Sequence, residues 1–296
     1  MILMKKTFSD RVFNTINYTF LTFCLVIILF PLINVVSMSF SSPNAVAIGR
    51  VFLWPVEPSL EAYRTVISQP IIIRAFLNSI LYAVTGTMIN VVLTVMAAYP
   101  LSRKEIIGRN KVMLYFTFTM ILNGGMIPTY LVIKSLGMID KIWAMIIPNA
   151  MTVYFMIIAR TFFKTSIPNE LYESAELDGA NDMNILFKIV LPLSKSIIAV
   201  LTLFYIVMHW NSYFDAMLYL RTPNLYNMQV VLRNTISSTM AMQSMMDITD
   251  ESSRIMSQIE VLKYAMIVVA TLPIMIFYPF VQKYFIKGVM IGSIKG

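Results

Sequence analysis

Long apolar runs alternate along this chain with polar gaps, and the length of those runs sets its architecture. A helix needs about 20 mostly apolar residues to cross a bilayer. Stretches of that kind occupy about 18–38, 76–100, 112–133, 142–162, 193–213 and 262–285. They predict an all-α, polytopic membrane protein with six transmembrane helices. Two gaps, 39–75 and 214–261, are long, and the others are short and polar or carry Pro and Gly. Within the second run Ser79, Ala83, Gly86, Asn90 and Thr94 recur every three or four residues as one small, weakly polar stripe. Small residues let helices approach closely in lipid, so the stripe predicts a helix–helix interface in preference to a pore lining. In the third run Asn123-Gly124-Gly125 and Pro128 predict a broken helix, which at such depth is tolerated only against protein or a watery cavity.

Composition agrees with the pattern. Of 296 residues 58% are hydrophobic and 13% charged, against about 25% charged in soluble domains. A lone cysteine, Cys24, excludes a disulfide within the chain. A lone histidine, His209, excludes zinc sites built from several histidines. The net charge of +8 fits basic cytoplasmic loops better than nucleic-acid binding. Lys5, Lys6 and Arg11 precede the first run, and Ala45-Val46-Ala47 imitates a cleavage site. That run is about 21 residues long, whereas the core of a secretory signal has roughly 7–15, so it reads as a retained span. With the N-terminus inside, the cytoplasmic side gathers Arg103, Lys104, Arg109, Lys111, Arg160, Lys164, Lys188, Lys195, Lys283, Lys287 and Lys295. This asymmetry places both termini in the cytoplasm and the two long gaps outside.

One gap is out of keeping with so apolar a chain. Glu170, Glu173, Glu176, Asp178 and Asp182 fall within "ESAELDGANDMNILFKIVLP" and the residues just before it, out of 15 acids in all. Burying them in lipid would cost on the order of 10 kcal/mol, at about 2.5–3.5 each, so 163–192 is cytoplasmic. Pro168 suits a helix start, and Glu170 and Glu173 suit its positive end. Leu171 and Ala175 share a face, Gly179 supplies a turn, and Asn181 or Asp182 caps a second helix. Pro192 then marks the start of the fifth span. The segment reads as a helix–turn–helix that docks another protein. A solvated loop would not select Leu171, Ala175, Ala180 and Phe187, and no second catalytic cluster accompanies the acids to make an enzyme.

Glu173-Ser174-Ala175, three residues, Gly179, nine residues, then Ile189-x-Leu191-Pro192 resembles the EAA loop of ABC-importer inner-membrane permeases, with Ser174 replacing the second Ala. "IPNELYESAELDGAND" and "LPLSK" resemble the carbohydrate-uptake branch. "HWNSYFDAMLYL" (209–220) and the tail "KGVMIGSIKG" (287–296) resemble its MalG-like subunit, closest to permeases handling oligosaccharides from polysaccharide breakdown. The resemblance implies a cytoplasmic N-terminus 1–17, a six-span permease domain 18–285 and a cytoplasmic tail 286–296. It implies as partners a second homologous permease subunit, two ATPase subunits and an extracellular or periplasmic substrate-binding protein, in a bacterial cytoplasmic membrane. The coupling positions carried over are Glu170, Glu173, Ser174, Ala175, Asp178, Gly179 and Ala180.

The residues agree on a separate point. No Gly-Lys pair occurs anywhere, so no phosphate loop is present and ATP with its Mg belongs to a partner. The chain is therefore a transport subunit with no cofactor of its own, not an enzyme. Candidates for the translocation path are Asn78, Tyr82, Asn123, Tyr154, His209, Trp210, Asn211 and Tyr213, since polar residues in a span are functional suspects. Trp210 and Tyr213 also suit an interfacial aromatic belt. The alternatives are a secondary transporter, against which stand the missing internal repeat and acid-poor spans, and a scaffold whose acidic loop anchors a soluble protein.

Overall fold

The computed structural model describes residues 8–122, 124–245 and 250–293; Asn123 lies outside them. All regular structure among them is helical: α1 (Phe8–Ser39), α2 (Pro43–Ala47), α3 (Glu61–Ser68), α4 (Pro70–Ser102), α5 (Arg109–Ile121), α6 (Met126–Ser135), α7 (Trp143–Ile146), α8 (Val153–Ser166), α9 (Asn169–Leu177), α10 (Asp182–Ile185), α11 (Leu191–Leu193), α12 (Lys195–Trp210), α13 (Tyr213–Tyr219), α14 (Met228–Met245) and α15 (Asp250–Ser293). The chain forms two units, residues 1–69 with 232–271 and residues 70–231 with 272–296.

In the first unit α1 is apolar all round, and only its last turn is buried, at Ser37 and Ser39. That end is tied to the segment after it. Asn34 Nδ2 and Ser37 Oγ donate to the carbonyls of Phe52 and Leu53, each at 2.6 Å. Ser42 caps α2 by accepting from the Ala45 amide at 3.2 Å. Ala45, Val46 and Val51 pack with Val261 of α15. The long polar gap after the first run is thus a folded, hydrogen-bonded segment.

The second unit is built around α4, which packs against α8 and α12. Its core joins Val95, Ala98, Tyr99 and Leu101 of α4 to Met156, Ala159 and Phe163 of α8 and to Leu201 and Tyr205 of α12. The predicted stripe lies in these contacts: Ser79, Ala83, Gly86, Asn90 and Thr94 are all buried. Helices of small residues pack closely where lipid supplies no drive for association.

Three helices, Phe8–Ser39, Pro70–Ser102 and Ile255–Phe280, are long and apolar enough to span a bilayer, and two bent pairs raise the number to five. The third apolar run is one such pair, parted between Ile121 and Met126 where Gly125 takes φ +85°. The run 142–162 is not one helix. Pro148 lacks an amide donor, and the chain is non-helical at 147–152. Its freed backbone groups are met by side chains: Asn90 Nδ2 donates to the Asn149 carbonyl at 2.6 Å, and the Thr152 amide donates to Tyr205 Oη at 3.2 Å. Broken backbone is tolerated in a membrane protein for this reason.

Candidate functional site

The acidic segment forms a compact element at the Ser102 end of α4. Pro168, in extended conformation, precedes α9, and Glu170 lies in the first turn. The helix ends in a Schellman arrangement, with Ala180 N–H donating to the Ala175 carbonyl at 2.9 Å and Gly179 N–H to the Glu176 carbonyl at 3.0 Å. That turn needs a left-handed residue, and Gly179 supplies φ +78°. No atom lies within 4 Å of where its Cβ would stand, so backbone conformation and not space selects glycine. Asn181 Oδ1 then accepts from the Asn184 amide at 2.8 Å, starting α10. The helical path continues through a wider π turn at Leu186–Val190 and through Pro192 to Leu193, then bends by 82° into α12. The bend falls at Ser194, two residues past the proline expected to mark it.

The element has an anchored side and a free side. Tyr172, Ala175, Ile185, Leu186 and Val190 are buried in the core cluster of the unit. Glu170, Glu173, Ser174, Asp178 and Gly179 are exposed, and Ala180 is half-buried. Leu171 and Ala175 do not act together: Ala175 is turned inward, while Leu171 is exposed and Leu177 is 89% exposed. Tyr172, one residue along, is the inward partner of Ala175.

Arg103, the first residue beyond α4, counts in the sequence only as one of the cytoplasmic bases, but in the fold it is set apart. Its side chain is 9% exposed and pairs with Glu176 of α9 and, at 3.1 Å, with Glu105. The guanidinium lies 4.2 Å from the centre of the Tyr172 ring. Burial opposes its charge, but the Glu176 hydrogen bond and the nearby Glu105 outweigh it and raise its pKa. Burial raises the Tyr172 phenol as well, against a smaller opposing pull from Arg103. Its neighbours Lys104, Arg109 and Lys111 look equivalent in sequence, so only the fold singles it out.

The path candidates separate into two groups. Asn78 Nδ2 donates to the carbonyls of Asn224 and Tyr226 at 2.8 and 3.0 Å, and Tyr82 Oη to that of Leu225 at 2.7 Å. His209 Nε2 lies 3.0 Å from Asn90 Oδ1 and is 2% exposed. Trp210 is buried edge-on against Phe76. These four are used up inside the unit. Tyr154 and Asn211 are exposed and Tyr213 is half-buried. In the same unit Asn149 Nδ2 donates to Asp215 Oδ2 at 3.0 Å. Burial raises the Asp215 carboxyl above its ordinary value, and that bond opposes the rise in part. Among the described residues no group of three or more His, Cys, Asp or Glu could hold a metal ion.

No protein-family model matches the chain. It is 42% identical over 288 residues to a polygalacturonan/rhamnogalacturonan transport system permease protein of Bacillus subtilis, covering 97% of this chain and all of that one. It is 40% identical over 294 residues to protein LplC of the same organism, covering 99% and 98%. Among solved structures, a chain of a bacterial ABC transporter that imports the acidic polysaccharide alginate matches with TM-score 0.85 and 35% identity, over 95% of this chain and 99% of that one. Likeness of this degree along the whole length, on an all-helical frame with apolar spans, shows that the chain belongs to the carbohydrate ABC-importer permeases, transport subunits of the bacterial inner membrane whose ATP is hydrolysed by separate polypeptides.

Proposed function

We propose that this chain is one of two related permease subunits of an importer for acidic oligosaccharides released from polysaccharides, and that 163–192 is its coupling element. In this reading six spans cross the membrane with both termini in the cytoplasm, two ATPase subunits dock beneath, and an external binding protein delivers the sugar. The exposed set Glu170, Glu173, Ser174, Asp178 and Gly179 meets the ATPase, while Ala175 and Ala180 hold the bend against the permease itself. The observation that carries the reading is the two-sidedness of α9. Its inner face is locked into the core by Tyr172 and Ala175, and its outer face leaves Leu177 89% exposed among carboxylates. A solvated helix has no use for such a leucine, whereas a protein groove does.

The substrate class is supported by two relatives of 42% and 35% identity, whose names give polygalacturonan/rhamnogalacturonan and the acidic polysaccharide alginate; relatives of 26% and 25% identity are named for maltodextrin and for melibiose, raffinose and stachyose. Tyr154, Asn211 and Tyr213 face away from the core and line the translocation path. Asn78, Tyr82, His209 and Trp210 shape the path from behind, and Asn123 stays a candidate from sequence. Copurification tests the coupling role: the ATPase should come down with the wild type and be lost on Gly179→Trp. Retention of the ATPase after wholesale replacement of 170–185 would end the assignment.

A further inference from the structure

Where α4 meets α9, a buried guanidinium is held by half-exposed carboxylates. Four contacts converge on Arg103. Its Nη2 donates to Glu176 of α9, its Nε donates to Glu105 at 3.1 Å, and its face lies on the Tyr172 ring. Its carbonyl accepts from Arg109 Nη1 at 2.8 Å. One residue pair back, Arg160 Nε of α8 donates to the Leu101 carbonyl at 2.8 Å. Helix α4, the loop before α5, helix α8 and the coupling helix are therefore fastened within two residues of one helix end. A cation is well placed there, at the negative end of a 33-residue helix.

Stability alone is a weak reason for the arrangement. The Glu176 and Glu105 side chains are 49% and 65% exposed, and solvent screening leaves ion pairs of that exposure worth only about 0–1 kcal/mol. What a guanidinium offers instead is direction: a rigid fork that fixes the angle between the two helices it joins. Nη1 is buried without a partner, so the group keeps a spare donor that a shifted carboxylate can take up.

In its first half α4 is fastened again. Ser79 Oγ accepts from the Met228 amide at 2.8 Å, and Asn78 and Tyr82 hold the carbonyls of 224–226. At 1.5 Å per residue, Ser79 and Arg103 stand about 36 Å apart along the helix. We infer that Arg103 is a positioning residue for transport: through Glu176 and Tyr172 it makes α9 and α4 move as one body, so that displacement of the coupling helix by the ATPase reaches 224–228. This inference rests on the coupling role proposed above.

The test uses the whole transporter in proteoliposomes with its binding protein and an acidic oligosaccharide, reading uptake and ATP hydrolysis together. In both Arg103→Gln and Glu176→Gln the ATPase should remain bound and hydrolysis should stay within about twofold, while uptake per ATP falls at least fivefold. The double variant should be no worse than either single one, because both remove the same contact. Arg103→Lys, which keeps the charge but not the fork, should recover part of the loss. Unchanged uptake per ATP in either single variant would overturn the inference, whether both activities persist or fall together. Loss of ATPase binding in Arg103→Gln alone would also overturn it, by making Arg103 a folding element. If instead the ATPase fails to associate with the wild type, the coupling assignment itself is what has failed.

Discussion

Replacing Gly86 by alanine should destabilise this protein, although alanine is the better helix former. In an unconstrained helix interior the change would gain about 1 kcal/mol. Here a Cβ on Gly86 would overlap the His209 imidazole. The ring cannot step aside freely, being 2% exposed and bonded to Asn90 at 3.0 Å, with Trp210 packed on Phe76 beside it. Overpacking a tight site costs about 1–3 kcal/mol, and losing the Asn90 bond adds about 0.6 in a membrane setting. The balance is a net loss of roughly 1–2 kcal/mol, or a fall of about 2–6 °C in apparent melting temperature at a few degrees per kcal/mol. Thermal unfolding of the purified protein in detergent would measure it. The same substitution in a His209→Ala background has room for its methyl, and there it should be neutral or stabilising. A rise in melting temperature on Gly86→Ala with His209 intact would refute the reasoning, since it would mean α4 and α12 are not in contact there.

Three further outcomes are expected. Tyr205→Phe should cost about 1–2 kcal/mol by chemical denaturation, because it strands Thr94 Oγ1 and the Thr152 amide, which lie 2.6 and 3.2 Å from the hydroxyl; no change would mean these groups find other partners. Gly179→Asn should keep ATPase copurification near wild type and Gly179→Val should weaken it, since only the first tolerates φ +78°; equal behaviour would show that the left-handed turn is dispensable. Asp140 accepts from the Thr222 hydroxyl at 2.5 Å and from the Thr222 and Arg221 amides at 2.9 and 2.8 Å, which hold its carboxyl below the usual value of 3.8. A lowered folded-state pKa stabilises fully above the unfolded value and is lost as pH falls through the folded one. Protection of those amides from hydrogen exchange, corrected for intrinsic rate, should therefore be full at pH 7 and begin to decline only as pH falls below about 4. Asp140→Asn should flatten that dependence, and an unchanged acid transition in the variant would assign it elsewhere.

Sequence alone determined the features that depend on local chemistry. Runs of apolar residues fixed an all-helical membrane protein, because backbone groups in lipid must be satisfied within their own helix. The i, i+3, i+4 recurrence of Ser79, Ala83, Gly86, Asn90 and Thr94 identified a packing face, since small side chains at helical spacing serve few other ends. Gly179 announced the turn of the acidic element and Asn181 or Asp182 its cap, which the fold builds from Asn181, both being backbone requirements met within a few residues. Tertiary structure decided whatever depends on partners far away in the chain. Hydropathy saw one continuous run at 142–162, whereas Pro148 breaks it at a point where Asn90 and Tyr205 stand ready with hydrogen bonds. Polar residues in a span look alike as path candidates, yet Tyr82 and His209 are consumed by bonds to residues 143 and 119 positions away. Arg103 was one base among four in its loop until the fold set Glu176 and Tyr172 against it, because a charge takes its role from neighbours that sequence distance does not reveal.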